Sequence, residues 1–110
     1  MIDKHLTLFC LVDGEATSNA FSVEIEPIKT VDALKMLIKA EKANRFHDVD
    51  ADELTLWRVS RPVIAANKHQ PVLLSAIDSP LELDPTDNIA DSFSEAPPKK
   101  TIHIIVQRPH

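Results

Sequence analysis

Glycine is almost absent from this chain: Gly14 is the only one in 110 residues. Turns that need positive φ are therefore few, and no glycine-rich loop can cradle a phosphate. Cysteine is equally scarce. Cys10 stands alone, so no intrachain disulfide can form, which fits a reducing compartment and equally a secreted domain that needs no staple. No apolar run approaches the ~20 residues of a membrane-spanning helix. Positive charge is not in excess. A net charge of -5 argues against a broad grip on nucleic acid or on an acidic membrane. Lys99-Lys100 is too short for a basic patch, and Arg58 and Arg61 are isolated. The N-terminus makes a poor secretion signal, because Asp3 precedes a short apolar stretch and no small-residue cleavage site comes after it. What remains is a hydrophobic share of 44%, which suits one globular domain spanning residues 1–110 with its own core.

That core is organised around Leu6-Thr7-Leu8-Phe9-Cys10-Leu11-Val12. As a strand it turns Leu6, Leu8, Cys10 and Val12 to one side, and Thr7, Phe9 and Leu11 to the other. Both faces are mainly apolar, the pattern of a central strand covered on both sides. Asp13 to Asn19 reads as a hairpin connection with Gly14 at the reversal. Phe21, Val23 and Ile25 alternate with Ser22, Glu24 and Glu26 in a strand nearer the sheet edge. Thr30 is an N-cap and Asp32 lies in the first turn of a helix over Val31 to Ala43. Its spacing places Val31, Leu34, Leu37 and Ile38 inward, with Ala33, Met36, Ala40 and Ala43 widening the apolar face. Lys35, Lys39 and Lys42 mark the outside.

A third strand alternates Leu54, Leu56 and Arg58 with Thr55, Trp57 and Val59. Pro62, Pro71 and Pro80 punctuate the next segment, in which Pro71-Val72-Leu73-Leu74 is a short strand or a packed loop. Leu81 and Leu83 flank Glu82. Thr86 to Phe93 reads as a helical turn that points Ile89 and Phe93 inward, and Pro97-Pro98-Lys99-Lys100 as a stiff connector. Thr101 to Gln107 is a second central strand, with Ile102, Ile104 and Val106 on one face and His103, Ile105 and Gln107 on the other. The order predicts an α+β fold of the β-grasp type, a mixed sheet of four to five strands with one main helix packed across it. In this respect the chain is similar to ubiquitin-like domains, without the Gly-Gly tail of a conjugated modifier.

Chemistry is sparse. Asp48-x-Asp50-x-Asp52 resembles the start of a calcium loop, but Glu53 stands where the turn needs glycine and Val59 where a bidentate Glu is needed. It reads as a solvated acidic turn, free to balance the helix lysines. His5, His47, His69, His103 and His110 show no metal-ligand spacing. Cys10 on a central strand is a small inert hydrophobe unless a histidine and solvent reach it. No nucleophile elbow, kinase signature or Walker loop occurs. The reading is of a non-enzyme without cofactor, metal, membrane span or small-molecule substrate. Trp57 is either a partner anchor or, more in keeping with its place on a strand, a core or half-core residue.

Taken together, the two ends of the chain resemble those of the N-terminal domain of crinkler effectors of oomycetes and some fungi. That family opens with L-x-L-F-L-A-K. Leu6-Thr7-Leu8-Phe9 matches the first half, and Cys10, Leu11 and Val12 occupy the second. The family's N-terminal domain closes with H-V-L-V-x-x-P, to which His103-Ile104-Ile105-Val106-Gln107-Arg108-Pro109 is similar. The first motif marks the translocation position and the second the junction with a further domain. The resemblance implies a secreted protein whose N-terminal domain directs entry into host cells. It implies a separate C-terminal effector domain, often acting in the host nucleus, and protein partners; an exposed strand edge would also allow pairing with a second copy of the chain. The alternative is an intracellular ubiquitin-like binding or dimerisation module with no export role.

Overall fold

The computed structural model describes residues 5–63, 69–77, 80–93 and 100–109. Five strands form one mixed sheet: β1 (Leu6–Val12), β2 (Phe21–Ile25), β3 (Thr55–Pro62), β4 (Leu81–Glu82) and β5 (Thr101–Gln107), in the order β2-β1-β5-β3-β4. The main helix, α1 (Val31–Glu41), packs on one face, and a short helix, α2 (Ile89–Ser92), comes after β4. This is an α+β architecture consistent with a ubiquitin-like grasp. β1 and β5 lie at its centre as parallel neighbours, with Cys10 opposite Ile104 and Val12 opposite Val106. β2 and β4 are the edges.

Both faces of the sheet carry a core, but the second covers only the Leu11 end of β1 and leaves Thr7 and Phe9 exposed, so the two-sided burial expected of the first strand holds only in part. On the α1 side, Leu8, Cys10, Val23, Ile25, Leu56 and Ile104 pack against Val31, Leu34 and Ile38. On the other side, Leu11, Val59, Ile102 and Ile105 pack with Val72, Trp57 and Leu74. The segment from Pro71 to Ala76 is therefore a packed loop ending in a 3-10 turn, Leu74–Ala76. Its backbone is tied to the hairpin. Gly14 donates to the Val72 carbonyl, Val72 donates to Glu15, and Leu74 donates to the Asp13 carboxylate at 2.7 Å. Gly14 has φ +90, the left-handed value that the reversal demands.

Thr30 caps α1, its hydroxyl accepting from the Ala33 amide at 3.3 Å. Asp50 and Glu53 cap the acidic turn reciprocally, and Asp48 meets Arg108 at 3.6 Å rather than a helix lysine. Ile89 and Phe93 are buried, as expected. Pro97, Pro98, Lys99 and His110 lie outside the described residues.

Three further expectations are corrected. The buried stripe of α1 is Val31, Leu34, Lys35 and Ile38, so Lys35 is inside while Met36 and Leu37 are 60% and 40% exposed. Positions i, i+3, i+4 and i+7 share one helix face, and 35 belongs to the set that starts at 31. A lysine can occupy such a position because its long aliphatic stem suits an apolar face, and the charge of Lys35 acts on the exposed Asp84 carboxylate. The helix also ends at Glu41, two residues before Ala43, with the Lys42 amide closing on the Ile38 carbonyl. Finally, Ile102 joins Ile105 on the second face instead of Ile104 and Val106. Alternation along β5 breaks at His103, opposite a register shift in β3 between Arg58 and Arg61. That irregularity lets β3 run on to Pro62, past the Val59 end that alternation indicates.

Candidate functional site

The residues of the opening motif are mostly core. Leu8, Cys10 and Leu11 are fully buried, Val12 is nearly so, and Leu6 is half-buried. Phe9 is the most exposed of the six, at 37%. The closing motif lies beside it. Ile104, Ile105 and Val106 are fully buried in β5, His103 is buried, and Pro109 is exposed just past the strand end. Parallel pairing of β1 with β5 thus brings together two motifs from opposite ends of the chain.

A side chain joins them where the regular ladder stops. The Phe9 amide donates to His103 Nδ1 at 3.0 Å, so that nitrogen carries no proton. The imidazole stands 6.0 Å from the Phe9 ring and 6.4 Å from the Phe93 ring, edge-on to the latter. Arg58 covers Phe93, its guanidinium carbon 5.4 Å from the ring centroid. The strand pattern shows that His103 belongs to β5. It does not show that the ring would replace a backbone acceptor, because that depends on the interruption of β5.

This arrangement ties β1 to β5. Cys10 Sγ donates weakly to the Leu8 carbonyl at 3.7 Å, while the His103 Nδ1 is engaged by Phe9. Burial pushes the Cys10 thiol far above its ordinary range, because a thiolate there would lack solvation. Among the described residues, no three His, Cys, Asp or Glu side chains are arranged to hold a metal ion. No described helix is long and apolar enough to cross a membrane. Trp57 is half-buried on the second face, where its indole N–H donates to Gln107 Oε1 at 3.0 Å. That is the half-core placement.

A model of the crinkler effector protein N-terminal domain matches residues 6–107, from the first residue of β1 to the last of β5. The chain belongs to the crinkler N-terminal domain family. It is 40% identical over 104 residues to Crinkler effector protein 1 of Rhizophagus irregularis, covering 94% of this chain and 22% of that protein. It is 52% identical over 54 residues to Crinkler effector protein 108 of Phytophthora sojae, covering 49% of this chain and 6% of that one. Crinkler effector protein 16 of Phytophthora infestans is 45% identical over 58 residues, covering 53% of this chain and 9% of that one. The chain thus spans less than a quarter of the length of these crinkler relatives.

The sequence pattern misses one surface. Met36 and Leu37, read as part of the core stripe, instead line an open groove between α1 and β2 together with Ala33 and the strand residues Glu24 and Ile25. The signal was available in the phase of the stripe set by Val31, Leu34 and Ile38.

Proposed function

We propose that this domain is the non-catalytic N-terminal domain of a crinkler-type effector, serving secretion, delivery into a host cell and protein interaction. The activity of the whole protein is then carried by a C-terminal effector domain, joined after the closing motif and acting in the host, the host nucleus included. The observation that carries this reading is the pairing of the two family motifs as central, adjacent strands of one fold. A delivery domain bounded by β1 and β5 is a self-contained unit, and its last strand brings the chain to the surface at Arg108 and Pro109. The small share of the relatives that it matches is also what a separate delivery domain would give.

On this reading the opening motif acts through the fold, since little of it is open to a receptor. Leu8→Ala removes a fully buried side chain from the central strand. The expected cost is about 2–5 kcal/mol, measured by chemical or thermal denaturation, and an unchanged melting temperature overturns the structural role of the motif. Export is tested separately by fusing the domain to a reporter in the source organism and following it during host contact. Reporter recovered from the host supports the proposal, and reporter confined to the producing cell overturns it.

A further inference from the structure

We propose that the outer edge of β2 and the groove between β2 and α1 form a docking site for an extended peptide segment in which basic and apolar residues alternate. The inference goes beyond the delivery role and holds whether or not the domain is exported. β2 is an edge strand, and among the described residues no strand pairs with its outer side. An open edge offers a row of backbone donors and acceptors to an added strand. Beside it runs a groove of about 420 Å³ whose helix wall is Ala33, Met36 and Leu37. Met36 and Leu37 are large apolar side chains left 60% and 40% exposed, so covering them is favourable.

The face alternation of β2 dictates the sequence of the occupant. Phe21, Val23 and Ile25 belong to the α1-side core, so Ser22 and Glu24 point to the opposite face. A strand added along this edge turns alternate side chains over Met36 and Leu37 and the others beside Glu24. The former should be apolar and the latter basic. The only charges in the run from Phe21 to Glu26 are the carboxylates of Glu24 and Glu26. Glu24 and Glu26 line the groove as well, with Lys29 and His5 from outside that run, and Lys42 Nζ stands 5.0 Å from the Phe21 ring centroid at the other end of the strand. The same carboxylates count against a second copy as occupant, since β2 paired with β2 would set glutamates beside glutamates. The other sheet edge, β4, is two residues long and offers little to an added strand.

The test is a titration of the isotope-labelled chain, followed by NMR, with a synthetic strand-length peptide of alternating lysine and valine. A counterpart carries glutamate for lysine. The expected result is saturable shifts on the amides of residues 22–26 and on the methyl groups of Met36 and Leu37. The acidic peptide should bind roughly tenfold more weakly at low salt, with the difference shrinking as salt is added. Glu24→Lys with Glu26→Lys should exchange the preference between the two peptides. Leu37→Asp, at an exposed position, should weaken the basic peptide while leaving the melting temperature unchanged. No saturable shift, shifts on another surface, equal binding of both peptides, or an unexchanged preference each overturns the proposal. So does a dimer in sedimentation that the two Glu→Lys changes abolish, which would assign the edge to a second copy.

Discussion

His103 accepts the amide proton of Phe9 where a backbone carbonyl would serve in a regular parallel pair. Replacing it by Leu keeps the bulk and removes the acceptor. The Phe9 amide is then left without its partner beside a buried strand, at a cost of about 1–3 kcal/mol. The midpoint of urea unfolding should fall accordingly, and an unchanged midpoint would show that the bond contributes nothing. Cys10 makes a second residue-scale case. It is fully buried, and burial holds its thiol protonated. The thiolate is the reactive form, so the native protein should resist an alkylating or disulfide-exchange reagent and react fully once unfolded. Rapid labelling of the native chain at neutral pH would contradict that placement. Glu15 and Arg45 are paired as well, joining the hairpin to the turn after α1, a contact that no local pattern indicates.

At the scale of elements, α1 is set by a cap, a stripe and a stop. Thr30 satisfies the Ala33 amide, Val31, Leu34 and Ile38 face the sheet, and Lys42 leaves helical geometry. Thr30→Ala should cost about 1 kcal/mol, read as a drop in melting temperature, and Thr30→Ser should restore most of it. The start of α1 is also fastened from outside. Val31 donates to the Asp87 carbonyl, and Ile89 donates to that of Lys29. The turn before α2 and the start of α1 therefore hold each other. Asp84, exposed nearby, accepts from the Thr86 backbone and hydroxyl, and these bonds, with a smaller contribution from Lys35, lower its pKa. What stability this turn adds is present above the unfolded carboxylate pKa and fades as pH falls through the folded value.

For the whole molecule, the strand from the C-terminal end of the chain lies between β1 and β3. Nothing can close the sheet until that last segment is in place. A chain truncated after Lys100 should therefore remain unfolded, with collapsed amide dispersion in NMR, although it retains four of the five strand segments. A dispersed spectrum from that fragment would show that β1 and β3 can pair without β5. The position of β5 also gives the family match its physical sense. The matched span, residues 6–107, coincides with the two strands without which there is no core.

Much of this was legible in the sequence. The alternation of Phe21, Val23 and Ile25, the two-sided apolar runs at Leu6–Val12 and Thr101–Gln107, and the cap at Thr30 are local signals, and local signals fix element type. Together with their order they determine a β-grasp plan, and the paired terminal motifs determine the family. Tertiary structure decided the rest. It set which helix face is buried, because Lys35 and Leu37 differ in rotational phase relative to the sheet and not in any local preference. It set the faces of β5, because the break at His103 depends on an irregularity in β3, distant in sequence. It also decided where the opening motif lies within this chain. Leu8, Cys10 and Leu11 are buried in β1 by the packed elements, and only the packed molecule reveals the open groove between β2 and α1.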